Sequence, residues 1–261
     1  MKKMLRMIQF SFLENMRNYG IIISSIIPSF VFLIVGLAIK SILKDTDVVS
    51  LLLYGQFLPM GLMLLVLSFS FTLNISSFTE KRETKFFDFL SHTDVSKLEF
   101  YIGTFAAMLL LFNVFQLPLL FVFLSLVKNM YSHIIPLAVA SNLIFIVMYP
   151  LGVLISLFIK SLSKVNAIMT PINLILMFSI SMPTLFASLL GKEVTAFYKY
   201  LFWNPLILLN DFILFEMNVS QKMWLSKEIS LLLLFVLFLV FALAVRFFEK
   251  EKFRKFENIA Q

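Results

Sequence analysis

The sequence predicts an all-α membrane protein. Six transmembrane helices form a single domain over residues 1–261, with an N-terminal interfacial amphipathic helix at 1–18, a cytoplasmic helix at 79–98 and a re-entrant or interfacial outer hairpin at 191–227. Three observations predict it. Hydrophobic residues make up 60% of the chain and mean hydropathy is +0.95, against about 45–50% apolar residues in soluble domains. Apolar runs of about 20 residues, enough to cross a hydrocarbon core, recur along the whole length and leave room for about six spans. Charged residues are only 14% of the chain and collect in 80–99 and at the two ends. The polar remainder is too short for a separate folded domain of about 50 residues.

The segment Met1-Lys2-Lys3-Met4-Leu5-Arg6 starts like a signal peptide. Glu14-Asn15-Met16-Arg17-Asn18 then interrupts before the long apolar run, and no small-residue cleavage site follows. Met4, Ile8 and Phe12 recur at helical spacing while Lys3, Arg6, Glu14 and Arg17 are polar, so 1–18 is expected as an amphipathic helix on the inner leaflet. The first span runs from about Gly20 to Ile39, around Pro28. The second runs from about Leu51 to Phe78, and Gly55, Pro59 and Gly61 predict a bend or break near its outer end. The third covers about Phe100 to Val127 and closes on a tight turn at Lys128-Asn129-Met130. The fourth runs from about Ile134 to Ile159, the fifth from about Val165 to Leu190, and the sixth from about Glu228 to Val245.

Between the fifth and sixth spans, Leu201-Phe202-Trp203-Asn204-Pro205 opens an apolar stretch too short to cross the bilayer. Two arrangements satisfy it: a hairpin that dips in and returns, or an interfacial loop anchored by Tyr200, Trp203 and Trp224. With six spans and a cytoplasmic N-terminus, Lys and Arg fall about two to one on the inner side, as the positive-inside rule requires. That orientation makes both termini and the 80–99 island cytoplasmic.

Several chemistries have no support in the residues. The absence of Cys excludes disulfides, thiolate metal sites and a Cys nucleophile. His92 and His133 are expected on opposite sides of the membrane, too far apart to share a metal. No His-Glu-x-x-His pattern, Gly-x-Ser-x-Gly elbow or phosphate-binding Gly-rich loop occurs, so the chain is not expected to hydrolyse ATP by itself. Ion-coupled carriers need ionisable groups at membrane depth. Here the polar residues at that depth are the amides Asn74, Asn113, Gln116, Asn142 and Asn173, expected to hydrogen-bond between helices. The net charge of +7 is read as inward-facing loops and anionic headgroups, with no nucleic-acid partner.

The island is expected as a helix from about Thr79 that sets Phe86, Phe87, Phe89 and Leu90 among charges of both signs. Phe86 and Leu90 share a face at i, i+4. Thr93-Asp94-Val95-Ser96 reads as a turn, and Ser96 with Glu99 as a capping box opening the third span. Aromatic knobs with a charged rim suit a protein cleft, and they also suit lying flat on lipid.

The run Glu80-x-Arg82-Glu83-Thr84, followed by Leu90-x-x-Thr93-x-Val95-Ser96-x-x-Glu99-Phe100-x-x-Gly103, resembles the coupling-helix region of type-2 ABC transporter permeases. Two positions depart from that family's pattern: Asp94 stands where Pro is usual, and Thr104 where a basic residue often follows the Gly. An N-terminal interfacial helix, six spans and a Pro-rich segment before the last span are similar to the family over the full length.

The resemblance implies a permease subunit in a bacterial cell membrane. It would be paired with a second permease subunit and with cytosolic ATPase subunits, which bind the ATP and Mg while this chain carries no cofactor of its own. Glu80, Arg82, Glu83, Phe86, Phe87, Phe89 and Leu90 are the docking residues it implies. The greasy bundle, with 32 Phe and 14 Met, fits amphipathic or hydrophobic cargo. In this it is similar to exporters of phenol-soluble modulins or lantibiotics. The expected cargo is a peptide toxin, antimicrobial peptide or drug; export of lipid-linked polysaccharide by the same fold and a non-transporting immunity or scaffold protein are the alternatives.

Overall fold

The computed structural model describes residues 2–43, 45–127, 130–190 and 194–257. Lys128 and Asn129 of the expected turn, Gly191 at the head of the outer hairpin, and the side chains of Lys252, Arg254 and Lys255 in the basic tail lie outside what it describes. The described residues form helices joined by short turns, with no strand among them. The helices are α1 (Lys2–Arg17), α2 (Tyr19–Ile42), α3 (Thr46–Glu83), α4 (Phe86–Ser91), α5 (Lys97–Ser125), α6 (Ile134–Ser156), α7 (Val165–Leu190), α8 (Thr195–Tyr198), α9 (Pro205–Glu216) and α10 (Lys227–Glu257). Six of these, α2, α3, α5, α6, α7 and α10, are long and apolar enough to cross a membrane. Their positions follow the expected spans closely, because in a bilayer every backbone polar group must be satisfied within the segment.

The second span departs most from expectation. Gly55, Pro59 and Gly61 do not break it, and α3 runs 38 residues without interruption. It does so by widening into π-helix at Leu53–Phe57, where the Leu58 N–H reaches back to the Leu53 carbonyl. Pro59 lacks an N–H and crowds the preceding turn, and a widened turn relieves that crowding. A second π stretch covers Leu67–Thr72, and nothing in the sequence marks it.

α3, α5 and α6 form the centre of the bundle. Leu58, Leu62, Leu65, Phe69, Phe71 and Ile75 of α3 are fully buried, as are Phe145 and Met148 of α6. By contrast α2, α7 and α10 leave most of their surface outside the fold. α3 and α6 approach closely at Gly152. A Cβ there would lie 2.9 Å from Asn74 Nδ2 and 3.0 Å from the Ser70 carbonyl oxygen.

The amides at membrane depth bond between helices. Asn74 donates to the Tyr149 carbonyl at 2.8 Å. Asn113 and Asn142 exchange reciprocal bonds of 2.8 and 2.9 Å. Gln116 donates to Ser141 and to the Ala138 carbonyl, and Asn173 donates to Thr72 Oγ1 at 3.2 Å. Each such bond is worth about 0.6–2 kcal/mol where no water competes.

α1 packs along the first turns of α5. Met7 lies against Gly103, where an added Cβ would come within 2.8 Å of Met7 Cγ, and Ser11 reaches Thr104 at 3.5 Å. The expected stripe of Met4, Ile8 and Phe12 is half-buried, and the face turned fully inward is one step round, at Met7 and Ser11. The other end of the chain arrives at the same place. Tyr101 of α5 donates to Glu249 of α10 at 3.3 Å, and Phe158 meets Phe248 with ring centroids 5.3 Å apart. Both terminal helices and the 80–99 island therefore share one end of the bundle, as an even number of spans requires.

Candidate functional site

Two local devices shape the island. α3 stops at Glu83, the Thr84 N–H bonds the Glu80 carbonyl at 2.9 Å, and Lys85 takes a left-handed conformation with φ 54°. That single residue splits the helix expected from Thr79 and turns α4 back against the bundle. A lysine in this region of backbone space is uncommon, and neither Gly nor Asn marks the break. At the far end Ser96 accepts from the Glu99 N–H at 3.2 Å while the Glu99 carboxylate accepts from the Ser96 N–H at 2.8 Å. This is the capping box read from the sequence.

α4 has an inner and an outer side. Leu90 is only 4% exposed. Phe86 and Phe87 are half-buried, their rings 5.4 and 5.5 Å from that of Phe100, which is itself fully buried. Phe78 continues the aromatic cluster inward, 5.9 Å from Phe100 and stacked on Tyr101 at 5.2 Å. Phe89 is 67% exposed, and Lys85 and Asp88 are exposed beside it. The i, i+4 face of Phe86 and Leu90 is therefore the fastening of the helix, and Phe89 is its outward aromatic.

The charged residues of the expected docking set divide in the same way. Glu80 is exposed. Arg82 reaches across to α6, donating to the Ser156 carbonyl and lying 3.5 Å from Thr79 Oγ1. Glu83 accepts from the Leu162 N–H at 2.7 Å in the connection between α6 and α7. Arg82 and Glu83 thus tie the end of α3 to the next loop on the same face of the bundle. Ser156 is fully buried. Arg82→Ala removes a charged donor and leaves the Ser156 carbonyl only the Ile159 N–H at 3.3 Å, a loss of about 1.5–3 kcal/mol for a hydrogen bond to a charged group. The expected result is faster amide exchange over 157–164 with the protection of α3 and α5 unchanged.

Sequence reasoning passed over Lys81. Only 6% exposed, it pairs with Glu14 of α1 at 2.9 Å and with Ser77 at 3.1 Å, and its ammonium lies 5.9 and 6.0 Å from the Phe86 and Phe100 rings. A buried cation needs such partners. Here they couple α1, α3, α4 and α5 at one point. A second ion pair, Lys3 with Asp94 at 3.6 Å, joins α1 to the turn before α5, but both side chains are largely exposed and it adds little. The i, i+4 spacing of Ser77 and Lys81 was a visible signal, whereas Glu14 lies too far away in sequence to be paired by pattern.

The opposite end of the bundle holds His133, bonded to Glu216 at 2.9 Å, and Asp211, which accepts from the Trp224 N–H at 2.8 Å. Asn204 is fully buried. Its side chain accepts from the Leu206 N–H to cap α9 and donates to the Leu176 carbonyl and Ser179 hydroxyl of α7.

No protein-family model matches this chain, and no curated protein matches it.

Proposed function

We propose that this chain is the membrane-spanning permease subunit of an ATP-driven ABC exporter, with α4 as the coupling helix that receives the motion of a separate ATPase. The observation that carries the reading is the division of α4. Phe89 stands outward among charges, while Phe86, Phe87 and Leu90 fasten the helix to the bundle. A push on Phe89 would pass through Phe100 to α5, through Lys81 and Glu14 to α1, and through Arg82 and Glu83 to the α6–α7 loop. A helix that merely rested on lipid would have no need of such wiring. In this reading the island end is cytoplasmic, the subunit works in the bacterial cell membrane as a homo- or heterodimer, and the ATP and Mg belong to the ATPase. The cargo is amphipathic or hydrophobic, a peptide toxin, antimicrobial peptide or drug, in keeping with a bundle whose amides donate to neighbouring helices.

We read 194–216 as a re-entrant hairpin. Asn204 bonds to α7 eleven residues beyond its start at Val165, a depth of about 16 Å at the α-helical rise, which is about half the hydrocarbon core. From there α9 returns along α6 toward His133. A nitroxide at Phe202, which is half-exposed, is expected to be quenched more by oxygen than by a water-soluble paramagnet. The reverse order would return the segment to the interface.

The test of the whole reading is to search the neighbouring genes for a P-loop ATPase, co-express it with the chain, reconstitute both in vesicles and titrate amphipathic peptides. Stimulated ATP hydrolysis is expected. A stable complex without stimulation would move the cargo elsewhere, and no complex would favour a scaffold.

A further inference from the structure

Away from the island, the bundle carries a groove of about 340 Å³ between α6, α9 and α10, within the range of small-ligand sites, about 300–1,000 Å³. Its walls are apolar: Val139 and Leu143 of α6, Leu209 and Phe212 of α9, and Leu231 of α10. Along α6 it extends from Ile135 to Ile144, about 14 Å at the helical rise, close to the depth of one leaflet of a core about 30 Å thick. It opens at the end of α6 that carries His133, opposite the end where Arg82 holds Ser156.

The mouth of the groove is polar in a specific way. Lys227 lines it as the first residue of α10, exposed, with its ammonium 5.8 and 5.7 Å from the Phe212 and Phe215 rings. Glu216, the nearby carboxylate of α9, is bonded to His133. One turn deeper on the same face of α10 is Ser230, whose hydroxyl is buried without a hydrogen-bond partner. The drop from Lys227 to Ser230 is about 4.5 Å. A cation, then an unsatisfied hydroxyl donor, then an apolar channel as deep as a leaflet match in order a phosphate, an ester carbonyl and an acyl chain.

We propose that this groove binds one acyl chain of an anionic glycerophospholipid from the leaflet opposite the island. Lys227 holds the phosphate and Ser230 donates to the ester carbonyl. The site requires only that the six helices lie in a bilayer, and it stands whether or not an ATPase partners the chain.

The test uses the full chain, delipidated in detergent and titrated with phosphatidylglycerol or phosphatidylcholine, with bound lipid counted by native mass spectrometry. The wild type is expected to retain one phosphatidylglycerol, about fivefold tighter than phosphatidylcholine for a single lysine at an anionic headgroup. Lys227→Gln, a change at an exposed residue, is expected to remove that preference by weakening phosphatidylglycerol about fivefold, while phosphatidylcholine, whose choline cation offsets its phosphate at the lysine, changes little. Ser230→Ala weakens both lipids, and Ala140→Trp, which fills the groove, removes both. Equal affinity of the wild type for the two lipids would overturn the assignment. So would a preference that survives Lys227→Gln, or lipid bound undiminished by a folded Ala140→Trp chain.

Discussion

Phe89→Asp is expected to abolish capture of the ATPase proposed as partner while the chain inserts and melts as the wild type does. Phe89 is 67% exposed and its nearest aromatic neighbour is Phe86 at 6.4 Å, so removing it opens no cavity in the bundle. If it is the aromatic that enters the ATPase cleft, its loss removes a hot-spot contact of about 2 kcal/mol or more, roughly thirtyfold in affinity, and the buried carboxylate adds to that. Co-purification from membranes with a tagged ATPase reads the result. The same replacement at Leu90 or Phe86 tests something else. Phe86 packs on Phe100 of α5 and Leu90 is buried, so a carboxylate at either would lower the melting temperature first, and a lost complex would report only a lost helix. An unaltered complex with Phe89→Asp would remove α4 as the docking element.

The second large effect is expected at Gly152→Ala. Its Cβ would come within 2.9 Å of Asn74 Nδ2, 3.0 Å of the Ser70 carbonyl oxygen and 3.3 Å of Phe71 Cα. Two of these are backbone atoms of α3, which no rotamer change can move aside. α3 and α6 must separate, and the Asn74 bond to the Tyr149 carbonyl lengthens with them. Overpacking of this kind takes about 1–3 kcal/mol, at times more, and the lost interhelical bond adds about 0.6–2 kcal/mol. Thermal denaturation in detergent should show a drop of several degrees. An unchanged midpoint would mean that the two helices are not held at this separation. Gly103→Ala makes the milder comparison, because its tightest contacts are with the flexible Met7 side chain.

What the sequence made legible is what the bilayer imposes. Long apolar runs must be helices, and α2, α5, α6 and α7 begin and end within a few residues of their hydropathy limits. The Ser96–Glu99 box is local chemistry and was readable for that reason. The amides could be expected to bond across helices, since nothing else at that depth can satisfy them, though which amide meets which could not be read.

The candidate site was legible only as a stretch of chain. Phe86, Phe87, Phe89 and Leu90 look alike in sequence, and whether a given ring faces bundle or partner depends on the turn at Lys85, which has no glycine to announce it. Arg82 and Glu83 look like surface charges until Ser156 and Leu162 arrive from more than 70 residues away. The depth of Asn204 was equally hidden, since its partners belong to α7.

The two π stretches in α3 have a geometric outcome of their own. Each lodges about one residue more per turn than an α-helix, which sets back the angular phase of everything beyond it by about 100°. Across Leu53–Phe57 and Leu67–Thr72 the slip accumulates to about 200°, so the stripe that α3 presents beyond Thr72 lies nearly opposite to where an uninterrupted α-helix from Thr46 would place it. The helix behaves as three rods clutched end to end. Converting either wide turn to a regular one would spin the Glu83 end as a screw while the Thr46 end stayed fixed.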